Sequence, residues 1–185
     1  MYCGIAMNII FPGMFREGKG QDMLIRAFHK YQQETKDMLS KVYLPGNGEL
    51  LDVCKQLVKE KGLEKQVYFP GKLSKEEVLL FFDKSNILAC TSKSETFSQV
   101  MAEGYCLGKC IVSTPVGIAC DIIEEGKNGF IVHSVEELKN KLLWLNNHPD
   151  SLRKMGLRNY ADREKFSWYY IAAMYKKLCM EMIRQ

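Results

Sequence analysis

The chain has no apolar run approaching the ~20 residues that span a bilayer. Its longest runs, 78–82 and 87–90, are strand- or helix-sized and flanked by charge. Residues 1–8 lack a basic stretch followed by an apolar core, so no secretory signal is expected there. The seven cysteines are odd in number and include no C-x-x-C pair. That pattern argues against a disulfide framework and for a reducing cytosol. Histidine is scarce, with three scattered copies, and Gly108 is expected to end any helix between Cys106 and Cys110, so no metal site is expected. Strong charge is missing too: 26 Lys and Arg against 22 Asp and Glu leave +4. A nucleic-acid partner is therefore not expected. No repeat, low-complexity stretch or linker divides the chain, and 1–185 reads as a single domain whose last part, 149–185, is a helical tail.

What is present is an alternation of short β-rich runs and amphipathic segments. Residues 8–11, 41–44, 66–69, 87–90, 111–112 and 130–132 have strand length and strand composition. Several are apolar at consecutive positions, as expected where helices cover both faces of a parallel sheet. Between them, Leu24, Ala27, Phe28 and Tyr31 fall on one helical stripe, and Leu50, Cys54, Leu57 and Val58 on another. Ser74 with Glu77 and Ser134 with Glu137 have the spacing of capping boxes, and Pro149 suits a first helical position. Trp144 and Trp168 lie in apolar helical stripes and read as packing residues, whereas His29, His148, 55–65 and 139–141 read as surface. The alternation predicts an α/β fold with a doubly wound, mainly parallel sheet. Ligands in such folds gather at the carboxyl ends of the strands.

The candidate chemistry lies after those ends. Residues 11–20 carry Gly13, Gly18 and Gly20 with Arg16 and Lys19, a composition suited to a diphosphate cradle at a helix start. Pro45-Gly46-Asn47-Gly48 and Phe69-Pro70-Gly71-Lys72 are loops that would equally pass as turns. The most informative stretch is Glu95 to Glu103, two glutamates separated by seven residues across a strand-to-helix transition. With a helix starting near Ser98, its free amides would face the crevice. Glu95 would lie on the loop, and Glu103 ~7.5 Å further along the axis, able to accept hydrogen bonds from a vicinal diol.

These pieces, in this order, resemble the C-terminal half of two-domain (GT-B) retaining glycosyltransferases of the E-x7-E group, glycosyl transferases group 1. The likeness runs through Lys19 to Phe28, Leu44 to Leu50, Val67 to Gly71, the glutamate pair, Val112 to Gly117, Glu125 to Val132 and Phe166 to Trp168. It implies a Rossmann-like domain that binds a UDP- or GDP-sugar without a metal. Lys19 would hold the departing diphosphate, with Gly13 and Arg16 in the same cradle. Glu95 would bind hydroxyls of the donor sugar, and amides of Phe97, Ser98 and Gln99 would reach sugar and phosphate. Glu103 would bind the ribose and Gly71 and Lys72 the base. Lys19 and Glu95 would be the catalytic pair.

The resemblance also implies an N-terminal domain that binds the acceptor, reached by the last helix, and no transfer by this chain alone. A setting in bacterial surface polysaccharide or glycolipid assembly follows, in the cytoplasm or peripherally at the inner face of the membrane. A non-catalytic nucleotide-sugar-binding module and a nucleotide-sugar epimerase of the same architecture stay open. Three places depart from the family pattern: Met14 where an arginine is usual, Glu95-Thr96-Phe97-Ser98 where E-G-F-G is common, and Asp121 where a glutamate is usual. Arg16 is the expected replacement for the missing cation, and Ser98 is expected to cap the helix.

Overall fold

The computed structural model describes residues 6–183; Cys3 and Arg184 fall outside them. Six parallel strands form one sheet in the order β3-β2-β1-β4-β5-β6. They are β1 (Asn8–Ile10), β2 (Lys41–Tyr43), β3 (Val67–Tyr68), β4 (Ile87–Cys90), β5 (Cys110–Ser113) and β6 (Gly129–Ile131). Between them run α1 (Gln21–Thr35), α2 (Leu51–Glu60), α3 (Lys75–Asp83), α4 (Gln99–Cys106) and the short α5 (Ala119–Ile122). Then follow α6 (Val135–Asn147), α7 (Pro149–Ala161), a 3-10 turn (Arg163–Phe166) and α8 (Trp168–Ile183). The sheet is doubly wound and Rossmann-like, as expected. Every residue of β4 and β5 is buried, which is why those runs show no alternation.

The chain moves outward from β1 to β3 and then crosses back to β4, so β1 and β4 are sheet neighbours with non-consecutive connections. Loops leaving two such strands diverge and open a crevice between them. Lys19 follows β1 and Glu95 follows β4, so the switch in strand order brings together residues 76 positions apart.

Local expectations hold with instructive exceptions. Leu24, Ala27, Phe28 and Tyr31 are all fully buried on α1. Ser74 forms the full capping box with Glu77. Ser134 forms half of one, because the Glu137 carboxylate accepts from the amide of His133 instead. Gly108, at φ 68°, follows the end of α4, leaving Cys106 on that helix and Cys110 on β5. Burial pushes the Cys110 thiol up to about 12, consistent with a packing role. Among the described residues, no group of three potential ligands could hold a metal ion.

One surface expectation and one packing expectation fail. Lys139 is not a solvated side chain: it pairs with Glu136 at 2.7 Å and with Glu34 of α1 at 3.2 Å, tying α1 to α6. Trp168 is 86% exposed; an apolar helical period shows that a face needs a cover, and none of the described residues supplies one. Trp144 does pack, edge-on to Phe130 and stacked on His148.

Candidate functional site

The β1–α1 loop is held in place from both sides. Toward β2, the amides of Gly13 and Phe15 donate to the carbonyls of Pro45 and Asn47, each at 3.0 Å, and Leu50 N donates back to the Phe15 carbonyl. The approach is so close that a Cβ on Gly46 would lie 1.9 Å from the Gly13 oxygen. Toward β4, Lys93 N donates to the Gly18 carbonyl at 2.7 Å, and the Thr91 hydroxyl donates to that of Gly20, also at 2.7 Å. A Cβ on Gly20, at φ 78°, would meet the Thr91 oxygen at 1.9 Å. The Pro-Gly-Asn-Gly stretch is therefore a splint for the first loop. The Gly13 amide is spent on the Pro45 carbonyl within that splint.

This scaffold sets the Lys19 ammonium 2.5 Å from Glu95 Oε1, with both side chains largely covered at 18% and 14% exposure. The Ser92 hydroxyl lies 2.7 Å from the same oxygen. Burial pushes the Glu95 carboxyl up. Hydrogen bonds from Lys19 and Ser92, with the charges of Lys19 and Arg16, more than offset that push and hold it below the ordinary carboxylate value. The ion pair forms a wall shared by two clefts. One, of about 290 Å³, is lined by Phe11, Pro12, Lys19 and Cys90 together with 95–100 at the start of α4. The other, of about 310 Å³, is lined by Arg16, Lys19, Lys93 and Glu95 among others. The amides of Phe97, Ser98 and Gln99 have no partner among the described residues. A cation, a carboxylate and free amides at a helix start together suit a ligand carrying phosphate on one side and hydroxyls on the other.

The family model for glycosyl transferases group 1 matches residues 7–162. The chain belongs to that family. An uncharacterised glycosyltransferase of Methanocaldococcus jannaschii is 31% identical over 161 residues, 86% of this chain and 44% of the relative. A D-inositol 3-phosphate glycosyltransferase of Nocardia farcinica is 27% identical over 89% of this chain and 38% of its own length. This group 1 chain thus spans less than half the length of these curated relatives. Its fold is similar to the separately solved C-terminal domain of a group 1 glycosyl transferase from Francisella tularensis, with TM-score 0.77, 24% identity, and 88% and 86% of the two chains covered. It also resembles Anabaena HepE solved with UDP, with TM-score 0.80 and 19% identity over 97% of this chain and 49% of the other.

Within this family member, Lys19, Glu95, Phe97, Ser98 and Gln99 line one cleft, and Arg16 joins Lys19 and Glu95 at the second. Gly13, Gly71, Lys72 and Glu103 line neither. Glu103 is exposed one turn into α4, and Gly71 spends its carbonyl on the Gly46 amide at 2.8 Å. Ser98 precedes α4, as expected, yet sits at φ 69° and its side chain makes no capping bond. A residue in the left-handed region cannot offer its hydroxyl to its own helix as an extended N-cap does. Ser92 and Lys93 were not anticipated: Lys93 meets Gly18, 75 positions earlier, and Ser92 meets Lys19, 73 positions earlier, as well as Glu95 three positions on.

Proposed function

We propose that the Lys19–Glu95 cleft binds a nucleotide diphosphate sugar, and that the full-length enzyme transfers the glycosyl group to an acceptor hydroxyl with retention. The observation that carries this reading is the ion pair itself, set beside three unpartnered amides at the start of α4. On binding, the diphosphate takes Lys19 and those amides, and the sugar hydroxyls take the released Glu95 carboxylate. Arg16 adds the charge that Met14 does not supply. Glu103 receives the ribose hydroxyls, and the loop at Gly71 and Lys72 receives the base; UDP in the Anabaena neighbour makes uridine the first base to try.

Retention follows the mechanism of the group that the sequence resembles. The bond between anomeric carbon and phosphate oxygen breaks, and the acceptor oxygen bonds to that carbon from the same face. The acceptor proton passes to the departing diphosphate. Lys19 and the helix-start amides stabilise the developing charge, so the chain acts through positioning and electrostatics rather than as a nucleophile. No metal is needed for this arrangement. The acceptor site and the second wall of the cleft belong to an N-terminal half, and the whole enzyme works on cytoplasmic nucleotide sugars.

Calorimetry with UDP, GDP and the bare nucleosides tests the assignment. Lys19→Ala should weaken the preferred diphosphate about tenfold or more, as expected for a charge-assisted hydrogen bond of roughly 1.5–3 kcal/mol, and leave the nucleoside unchanged. Equal weakening of both would remove Lys19 from the phosphate site. Binding without transfer by the full-length protein would instead favour a non-catalytic module.

A further inference from the structure

The Ser92 side chain is fully buried at the exit of β4, with its hydroxyl 2.7 Å from Glu95 Oε1 and 3.3 Å from the Lys19 carbonyl. It has one proton to give, and the closer, charged acceptor is the carboxylate. Its backbone is fixed from two directions. The Thr114 hydroxyl, leaving β5, donates to the Ser92 carbonyl at 2.5 Å, and the next amide, of Lys93, donates to Gly18. Lys19 is different in kind. Its ammonium ends a flexible stem on a lip shared by two clefts, where an incoming diphosphate can draw it away. The other charge acting on Glu95 is Arg16, on the same mobile-stemmed side. The β5–α5 loop meets Glu95 through Gly117, which has no side chain to offer. Once Lys19 moves to a phosphate, Ser92 is, among the described residues, the one hydrogen-bond donor that stays on the carboxylate.

We propose that Ser92 is a positioning residue of the donor site: its hydroxyl holds the Glu95 carboxylate aimed at the donor sugar after Lys19 has left for the diphosphate. This rests on the donor-site reading above. It adds that recognition of the sugar, as opposed to the nucleotide, depends on a buried residue that does not touch the ligand.

The test uses whichever of UDP-glucose or GDP-mannose binds the wild-type chain more tightly, compared with its own nucleoside diphosphate. Ser92→Ala should weaken the nucleotide sugar about five- to tenfold and leave the diphosphate within about twofold. Ser92→Thr, which keeps the hydroxyl, should restore most of the loss. If the alanine variant does not fold, Ser92→Cys, a weak donor of similar volume, should show the same selective loss. In the diphosphate-saturated chain, the Glu95 carboxyl followed by NMR should titrate higher in Ser92→Ala than in wild type, and return in Ser92→Thr. Equal weakening of both ligands, or an unmoved Glu95 titration, would make Ser92 merely structural. Glu95→Gln separates the two readings. If it is sugar-selective while Ser92→Ala is not, the Ser92 role fails and the donor site stands; if it is not selective, both fall.

Discussion

Ser98 sits at φ 69°, ψ 79°, where an L side chain is crowded and glycine is not. Its hydroxyl gains no capping bond in return. Ser98→Gly should therefore raise the unfolding free energy by up to about 1 kcal/mol, since relief of strain exceeds glycine's extra chain entropy. Ser98→Ala, which keeps the Cβ, should not raise it; a pair of thermal melts decides. Glu95 makes the second residue-scale prediction. Its folded value lies below 4.5, so its contribution to ligand-free stability is present above that pH and is lost as pH falls through the folded value. The stability gap between wild type and Glu95→Gln should be constant from about pH 6 upward and shrink toward pH 3. Denaturant melts across that range would show a flat difference if the pair were absent in solution. At this scale the sequence and the family resemblance singled out residues that the structure brings together. Charge, size and place after a strand pointed to Lys19 and Glu95, whereas the backbone dihedral of Ser98 leaves no trace in residue identity.

The elements were legible because their signals are local. A buried stripe or a four-residue apolar run is written in consecutive residues, so all six strands could be placed to within a residue, whereas the stripe over 22–31 marks the start of α1 but stops four residues short of its end at Thr35. Contacts between loops carry no period. Nothing in Pro45-Gly46-Asn47-Gly48 announces that it braces 13–15, and nothing in Ser92 announces a bond to a glutamate across a turn. The two glycine loops make the difference measurable. Gly20→Ala drives a Cβ into the Thr91 carbonyl at positive φ and should cost about 3 kcal/mol or more. Gly71 has φ 83° but open space around it, so Gly71→Ala should cost only about 1 kcal/mol. Equal melting temperatures for the two variants would mean that the loops are not in the contact described.

At the scale of the molecule, α8 is the conspicuous feature. Trp168, Tyr169, Tyr175, Met182 and Ile183 all face solvent, and no residue of the helix is buried. A helix whose main contact is the 3-10 turn before it, with Ile171 half-buried, is marginal by itself. Its amides should exchange with solvent orders of magnitude faster than those of α1, and a chain ending at Ser167 should melt within a few degrees of the full chain. The same truncation should reduce self-association in sedimentation, because it removes the largest exposed apolar surface. Strong exchange protection along α8 in the isolated 185-residue chain would show that it has found a cover. A sequence period records only that an apolar face exists and not what covers it; an N-terminal half is what the family resemblance implies for that place.

The stitching of the loops has a bearing on how this site can be altered. Residues 13–20 lean on 45–48 and on 91–93, and 97 in turn meets the amide of Ile118, mainly through main-chain groups, and at Gly20, Gly46, Gly48 and Gly117 the approach leaves no room for a side chain. Segments joined in this way cannot be exchanged singly. A chimaera that imports a β4–α4 loop from another group 1 enzyme should lose its shape unless it also imports the two loops that clasp it and the 45–48 loop that braces one of them. Donor preference in this domain would then be inherited as a four-loop cassette, and a library that recombines the loops independently would consist mainly of chains that fold poorly around a disordered pocket.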